Sequence, residues 1–381
     1  MNSMTDPLVY RRHLTCGTLS VTPNCPIELL DELFDIAERR NPKRAFLFVS
    51  KVLGRHIPVS PNTMRSIYQK IATQFPDTLE GPVLFIGMAE TAVGLGAGIF
   101  DEVRNRYNNA VYLTSTRHPI DHADLLCEFK ENHSHATDHL LYLPQNTQQR
   151  QWVQQAQTVV LIDDEATTGN TFINLLSALR EDGGLCQIKQ VITVTLTDWS
   201  ENAIAQRSPL PVKTISLVQG KWLWEANPDA PLPIMPNVNV TASGHVAITG
   251  KQSWGRLGMT TPANDLGASV QASENEKILV LGSGEFVWEP FLLAERLEKQ
   301  GASVKYSSTT RSPIATNFAI QSAITFTDNY GLGIPNFVYN VAHQQFDRII
   351  LCCETPTQSV DPQLINALQK VAPIVEVLSY D

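Results

Sequence analysis

Cysteine, net positive charge and long apolar runs are all scarce in this chain of 381 residues. The six cysteines (Cys16, Cys25, Cys127, Cys186, Cys352 and Cys353) show no C-x-x-C spacing. That argues against a zinc site or a disulfide framework and suits a reducing cytoplasm. With 29 Lys+Arg against 38 Asp+Glu, the formal charge is -9. A general nucleic-acid or membrane-surface binder needs clustered cations, so neither partner is expected. A local anion site stays open, because backbone N–H groups and a few side chains can build one. No run approaches the ~18 apolar residues of a membrane span. The opening MNSMTDPLVYRRHLTCG lacks the apolar stretch of a signal peptide. The expectation is a soluble, cytoplasmic protein.

Such a length exceeds one ordinary core, and two domains are expected. Apolar strand-like runs alternate with helical stretches: strands at 44–49, 83–86, 110–113, 159–162, 191–196 and 212–218, with helices at 61–75, 92–106 and 171–182. Alternation of this kind predicts an α/β fold with a mainly parallel sheet covered on both faces. From 227 to about 275 the chain turns rich in Pro, Gly, Asn and Ser, as a linker would, with a hairpin expected around 238–248. A second α/β pattern follows, with strands at 277–281, 304–307 and 348–352 and helices at 290–300 and 362–371. The predicted division is 1–226, a connection 227–275, and a smaller domain 276–381.

The segment Thr158–Thr171, T-V-V-L-I-D-D-E-A-T-T-G-N-T, carries the chemistry. A buried strand delivers two adjacent carboxylates, Asp163 and Asp164. The loop Ala166, Thr167, Thr168, Gly169, Asn170, Thr171 then opens a helix, whose first N–H groups and threonine hydroxyls form a phosphate cradle. Gly169 permits positive φ or close approach. The carboxylates can accept hydrogen bonds from a vicinal diol or hold Mg²⁺ directly or through water. Ribose 5-phosphate carries both a diol and a phosphate.

This string resembles the signature of type I phosphoribosyltransferases, which bind 5-phosphoribosyl-1-pyrophosphate (PRPP). The resemblance implies that Asp163 and Asp164 hold the ribose hydroxyls and that Ala166 to Thr171 hold the 5-phosphate. It also implies a pyrophosphate loop after an early strand. Ser50, Lys51, Gly54 and Arg55 are the candidates, with a non-proline cis peptide expected at Ser50–Lys51. Arg117, in T-S-T-R-H after the strand at 110–113, is placed to reach pyrophosphate. The family's mobile lid would fall within 121–139 and carry Glu131, His133 and His135 as candidate acid–base or charge-stabilising groups. A metal site at His133-Ser134-His135, or a plain solvated loop, are the alternatives. Glu90 caps a helix, touches Mg²⁺ indirectly or orients Arg117. Trp222 or Trp224 stacks on the acceptor base or packs in the core.

The later Thr310-Arg311-Ser312-Pro313, downstream of Gly282-Ser283-Gly284-Glu285-Phe286, resembles the TRSP domain found after phosphoribosyltransferase domains in bacterial tellurium-resistance and stress-response gene clusters. The combined resemblance implies Mg²⁺-dependent transfer of phosphoribosyl from PRPP to a nucleobase-like acceptor, in nucleoside-like metabolite synthesis, by a homodimer. A non-catalytic PRPP-binding regulator or scaffold is the alternative. An internal echo stands beside it. VLFIGMAET (83–91) parallels ILVLGSGEF (278–286), and Thr-Arg follows each at nearly the same spacing. The second domain is therefore expected to repeat part of the first and to bind a phosphorylated or acidic group through Glu285, Arg311 and Ser312. It lacks any copy of the acid–acid–phosphate string, and no independent PRPP chemistry is expected there.

Overall fold

The segments Val83–Gly87 and Thr158–Ile162 are apolar almost throughout, and every residue of both is buried. A strand covered on both faces produces that pattern, as in a parallel sheet with helices on either side. The computed structural model describes residues 9–41, 43–130, 139–231, 233 and 255–380. The hairpin expected near 238–248 lies outside them.

The first half begins with strands β1 (Tyr10–Leu14) and β2 (Gly17–Pro23), helix α1 (Ile27–Leu33), and strands β3 (Phe34–Glu38) and β4 (Phe46–Ser50). Next come α2 (Pro61–Ala72), β5 (Val83–Gly87), α3 (Ala92–Val103), β6 (Ala110–Thr114), β7 (Leu125–Phe129) and β8 (His139–Tyr142). It closes with α4 (Thr147–Gln154), β9 (Thr158–Ile162), β10 (Glu165–Ala166), α5 (Asn170–Glu181), β11 (Gln190–Asp198), α6 (Ala203–Arg207) and β12 (Val212–Ala226). The second half contains β13 (Lys277–Gly282), α7 (Trp288–Lys299), β14 (Ser303–Ser308), β15 (Ala323–Thr327), β16 (Pro335–Tyr339), β17 (Arg348–Cys353), α8 (Pro362–Leu368) and β18 (Ile374–Ser379).

The main sheet runs β1-β2-β12-β11-β9-β5-β6, with β10 beside β11. From β12 to β6 every pairing is parallel, whereas β2 joins β12 antiparallel. The expected strand at 212–218 extends to Ala226, because Gly220–Ala226 pair with β2. Gln219-Gly220-Lys221 reads locally as a turn; a partner remote in sequence makes it strand. A second sheet, β14-β13-β17-β18, is parallel throughout. Its order matches β6-β5-β9-β11 of the first. Each half also inserts an antiparallel hairpin after its β6 or β14 strand, β7–β8 and β15–β16.

The expected linker is partly structural. Gly255 and Met259 accept the amides of Thr114 and Tyr112, and Met259 returns a bond to Tyr112. The side chain of Arg256 is buried. Low-complexity composition signals loop geometry, not exposure.

Helix α2 crosses α3 at Gly98, where an added Cβ would sit 2.3 Å from the Tyr68 ring. Tyr68 is fully buried and packs edge-on against Phe291 of α7, so the ring has nowhere to go. Gly98→Val is expected to cost about 1–3 kcal/mol by overpacking, read as a lower urea midpoint with an unchanged slope.

Candidate active site

Strand β9 ends in the centre of the parallel sheet, and open α/β sheets gather their ligands at such carboxyl ends. Asp163 and Asp164 follow it directly and are half-buried, neither sunk in the core nor fully in solvent. The Asp163 amide donates to Val194 O (3.0 Å), and Asp163 Oδ1 accepts the Asp164 amide (2.9 Å). The chain then pairs as β10 with Thr197 and Asp198 of β11 before turning into α5. Gly169 caps that helix at φ 73, and a Cβ there would meet Ile204 Cγ1 at 2.2 Å. Only glycine satisfies both demands. The first i→i−4 bond of the helix is Ile173 N to Gly169 O (3.1 Å). The Thr171 and Phe172 amides therefore stand ahead of the helix ladder, where they and the positive end of the helix favour an anion. Arg207 braces the turn through Thr168 O (2.8 Å) and Asn170 Oδ1 (2.5 Å).

The third acid, Glu165, behaves differently from the first two. Arg44 grips both its oxygens at 2.6 and 2.9 Å and donates to Thr167 Oγ1 at 3.0 Å. Arg44 also lies over the rings of Phe46 and Trp222. Arg44 thus fixes the threonine-rich loop after β9 to the β3–β4 hairpin, a role that local reading missed because the contact spans 121 residues. Trp222 and Trp224 both pack on Phe46, with centroids at 5.0 and 5.2 Å. In this arrangement they form an aromatic cluster beside the loop. A further aromatic, Trp199, stacks on Phe48 and donates its amide to Ala166 O (2.7 Å), and sequence reasoning did not single it out.

The residues expected to form a pyrophosphate loop, Ser50, Lys51, Gly54 and Arg55, follow a strand that lies off the central sheet. Strand β4 pairs with β3 alone and does not join the central sheet. Ser50 Oγ accepts the Val52 amide, and Lys51 Nζ donates to Asp31 O. Gly54, at φ 62, rests against Tyr306 of the second half, while the side chain of Arg55 is buried and pairs with Glu90 (2.7 Å). The described residues carry their non-proline cis peptide at Ala89–Glu90, after β5, and not at Ser50–Lys51. A strand, a glycine and two cations are visible in sequence; which sheet the strand enters is not.

Glu90, Arg117 and Arg311 line one cleft between the halves, together with His118, Glu285 and Tyr330. Burial raises the Glu90 carboxyl, but Arg55, Arg311 and Arg117 outweigh it and hold it below its usual range. Burial likewise opposes ionisation of Glu285, yet His118, Arg256, the Thr116 hydroxyl and the Arg117 amide bring it to about 2. Burial holds His118 itself below its ordinary value, so at neutral pH Arg256 and the hydrogen bonds keep Glu285 charged. Glu285 ties the halves together, accepting from Thr116 Oγ1 (2.6 Å), Arg117 N (2.8 Å) and Arg256. Ser312 is held by Thr310 Oγ1 and by the Tyr339 hydroxyl. Glu131, His133 and His135 lie outside the described residues. The neighbouring His139 is buried, bonded to Ser115 Oγ (3.0 Å) and stacked on Phe129.

An acid pair at a central strand tip, a glycine-turned loop opening a helix and a second half of matching strand order are joined by two family-model matches. A model described as phosphoribosyl transferase matches residues 33–221, and one described as the TRSP domain C-terminal to it matches 250–368. The chain belongs to the phosphoribosyltransferases that carry a C-terminal TRSP domain. Among solved structures it is similar to adenine phosphoribosyltransferase from Rhodothermus marinus, with 16% identity over 51% of this chain and 97% of that one and a TM-score of 0.32. The enzyme from Trypanosoma brucei, in complex with AMP, pyrophosphate and ribose-5-phosphate, shows 14% identity over 51% and 80%, with a TM-score of 0.33. That from Leishmania donovani shows 14% identity over 50% and 78%, with a TM-score of 0.34. No curated protein matches the chain. No helix among the described residues is long and apolar enough to cross a membrane.

Two outcomes follow from the buried charges. Arg256→Met leaves Glu285 and Glu354 without their shared guanidinium, and a loss of about 3–5 kcal/mol in urea unfolding is expected. His56 is buried between the halves, and burial, then Arg55, lowers its pKa from 6.5 to about 3. The unfolded chain therefore takes up a proton below pH 6.5 that the folded chain refuses until about pH 3. Stability contributed by the neutral ring is full above that range and lost as pH falls through it, by up to about 1.4 kcal/mol per pH unit. His56→Asn should flatten the decline in thermal midpoint between pH 6.5 and 5.

Proposed function

We propose that this phosphoribosyltransferase moves the 5-phosphoribosyl group from PRPP to a ring nitrogen of a nucleobase-like acceptor and releases pyrophosphate. The observation that carries the reading is the half-buried pair Asp163–Asp164 beside an anion loop opened by left-handed Gly169. In this reading the carboxylates accept the 2- and 3-hydroxyls of ribose. The amides and hydroxyls of Ala166 to Thr171 bind the 5-phosphate. Arg117 and the Ala89–Glu90 loop lie at the neighbouring strand ends, on the side where pyrophosphate would leave.

Mg²⁺ fits this donor set in one form. Among the described residues no group of three or more His, Cys, Asp or Glu can hold a metal ion. An ion bound through one or two carboxylates and substrate oxygens needs no such cage. Asp163 or Asp164 would hold it, directly or through water, and it would offset charge developing on the leaving pyrophosphate. The protein's own part is to fix the ribose while the C1–O bond to pyrophosphate breaks, which stabilises an oxocarbenium-like transition state over the bound substrate. A homodimer, with PRPP and the acceptor as small-molecule partners, belongs to the same reading.

Asp163→Asn with Asp164→Asn is expected to abolish PRPP-dependent pyrophosphate release, assayed with a panel of bases, while leaving the circular dichroism spectrum unchanged. Undiminished turnover in that double variant would refute the assignment. PRPP binding without turnover by the native protein, across the base panel and a cell-extract metabolite pool, would favour the regulatory alternative.

A further inference from the structure

The two halves match at the level of single hydrogen bonds. Ser115 N donates to Gly87 O (3.0 Å) and Thr309 N to Gly282 O (2.9 Å). The Ala89 amide donates to Ser115 Oγ (2.9 Å), and the Gly284 amide donates to Thr309 Oγ1 (2.8 Å). The Tyr112 hydroxyl donates to Val93 O and the Tyr306 hydroxyl to Val287 O. Thr116 bridges Leu140 of its hairpin as Thr310 bridges Phe337 of the other. Together with the shared strand order, this makes the second half a copy of the transferase core.

The copies face each other reciprocally. Thr116 and Arg117 of the first bind Glu285 of the second, while Thr310 of the second reaches Glu90 of the first (3.4 Å). Each copy also lays a Gly-Arg arm on the other's edge strand. Val59, after Gly54-Arg55, pairs with Tyr306 of β14, and Met259, after Gly255-Arg256, pairs with Tyr112 of β6. This is the geometry of a two-fold dimer written into one chain.

Symmetry breaks at the sites themselves. By strand register, Glu354 follows β17 where Asp164 follows β9. It is fully buried, bound by Arg256 at 2.6 and 2.8 Å and by the Tyr330 hydroxyl at 2.6 Å. The segment after it holds no glycine and forms a short 3-10 turn before α8. Charge is equally uneven. Around Glu90 stand Arg55, Arg117 and Arg311, whereas Glu285 and Glu354 share Arg256 and Asp328 lies on the same side. Asp328 is occupied by the amides of Tyr330, Leu332 and Ile334. Among the described residues the arginines therefore gather on the first copy's side of the cleft, and the second copy supplies one of them.

We infer that the C-terminal domain is a second transferase core whose own sugar site is closed, and that it serves as a built-in partner subunit contributing Arg311 to the pyrophosphate-binding side of the first. This moves Arg311 from a separate second-domain site, expected from sequence, into the active cleft. It rests on the reading under Proposed function, and it means that the cleft is completed without a second chain.

The test is calorimetric titration of the full chain with inorganic pyrophosphate plus Mg²⁺, and separately with ribose 5-phosphate. Arg311→Ala should weaken pyrophosphate binding about tenfold or more, as for a lost charge-assisted contact. Ribose 5-phosphate affinity should stay within about twofold, and Arg311→Lys should retain much of the pyrophosphate affinity if Arg311→Ala proves unstable. Unchanged pyrophosphate binding in both variants, an equal loss for both ligands, or no pyrophosphate binding by the native chain overturns the inference. Failure of the native chain to bind ribose 5-phosphate alone would instead strike the transferase reading, leaving the pyrophosphate comparison to decide the role of Arg311.

Discussion

Two glutamates, buried Glu285 and half-buried Glu90, are each answered across the boundary between the halves. Glu285 of the second half takes the Thr116 hydroxyl and the Arg117 amide of the first, while Glu90 takes Arg55 and the Thr310 hydroxyl. An uncompensated carboxylate in such surroundings is costly, and these contacts tie the strand-end loops of the two halves to each other. Because Glu90 sits in the loop after β5 and Arg117 in the loop after β6, the same ties position the strand-end loops next to β9, the strand that carries the acid pair. Stability and site geometry are one problem here.

That coupling also explains the asymmetry between the halves. In the first, Asp163 and Asp164 reach the surface and the following loop turns through Gly169. In the second, a carboxylate at the matching position is drawn inward, paired with Arg256 and hydrogen-bonded by the Tyr330 hydroxyl. One copy keeps its acid pair half-buried at the strand end; the other holds the matching carboxylate in the interior. A ring stack of His118 on Tyr330, at 4.1 Å, seals the boundary between them.

Much of the fold was legible. Strands such as Val83–Gly87 and Ile278–Leu281 are apolar on both faces, and the helix before Gly184 carries a regular apolar stripe, so period and composition sufficed. The signature loop was legible for a related reason: strand, acids, glycine and helix start are contiguous and need no distant partner. The β1–β2 hairpin, the antiparallel extension of β12 and the separate β3–β4 pair were not, because polar alternation on short strands says nothing about which edge they join. The loop at Ser50–Arg55 illustrates the same limit. Its glycine and cations fit an anion loop, yet Lys51 turns to Asp31 and Arg55 to Glu90.

By itself the sequence determined the α/β class, the acid–acid–phosphate string and the echo between 83–117 and 278–311, since each is written in local order and spacing. Tertiary structure alone decided that the echo is a facing pair, that residues 255–259 belong to the first sheet's edge, and that Arg44, Arg256 and Arg311 act across long separations. The reason is physical. A side chain's charge is set by its type, but what that charge does depends on which carboxylates and amides folding brings within about 3 Å of it.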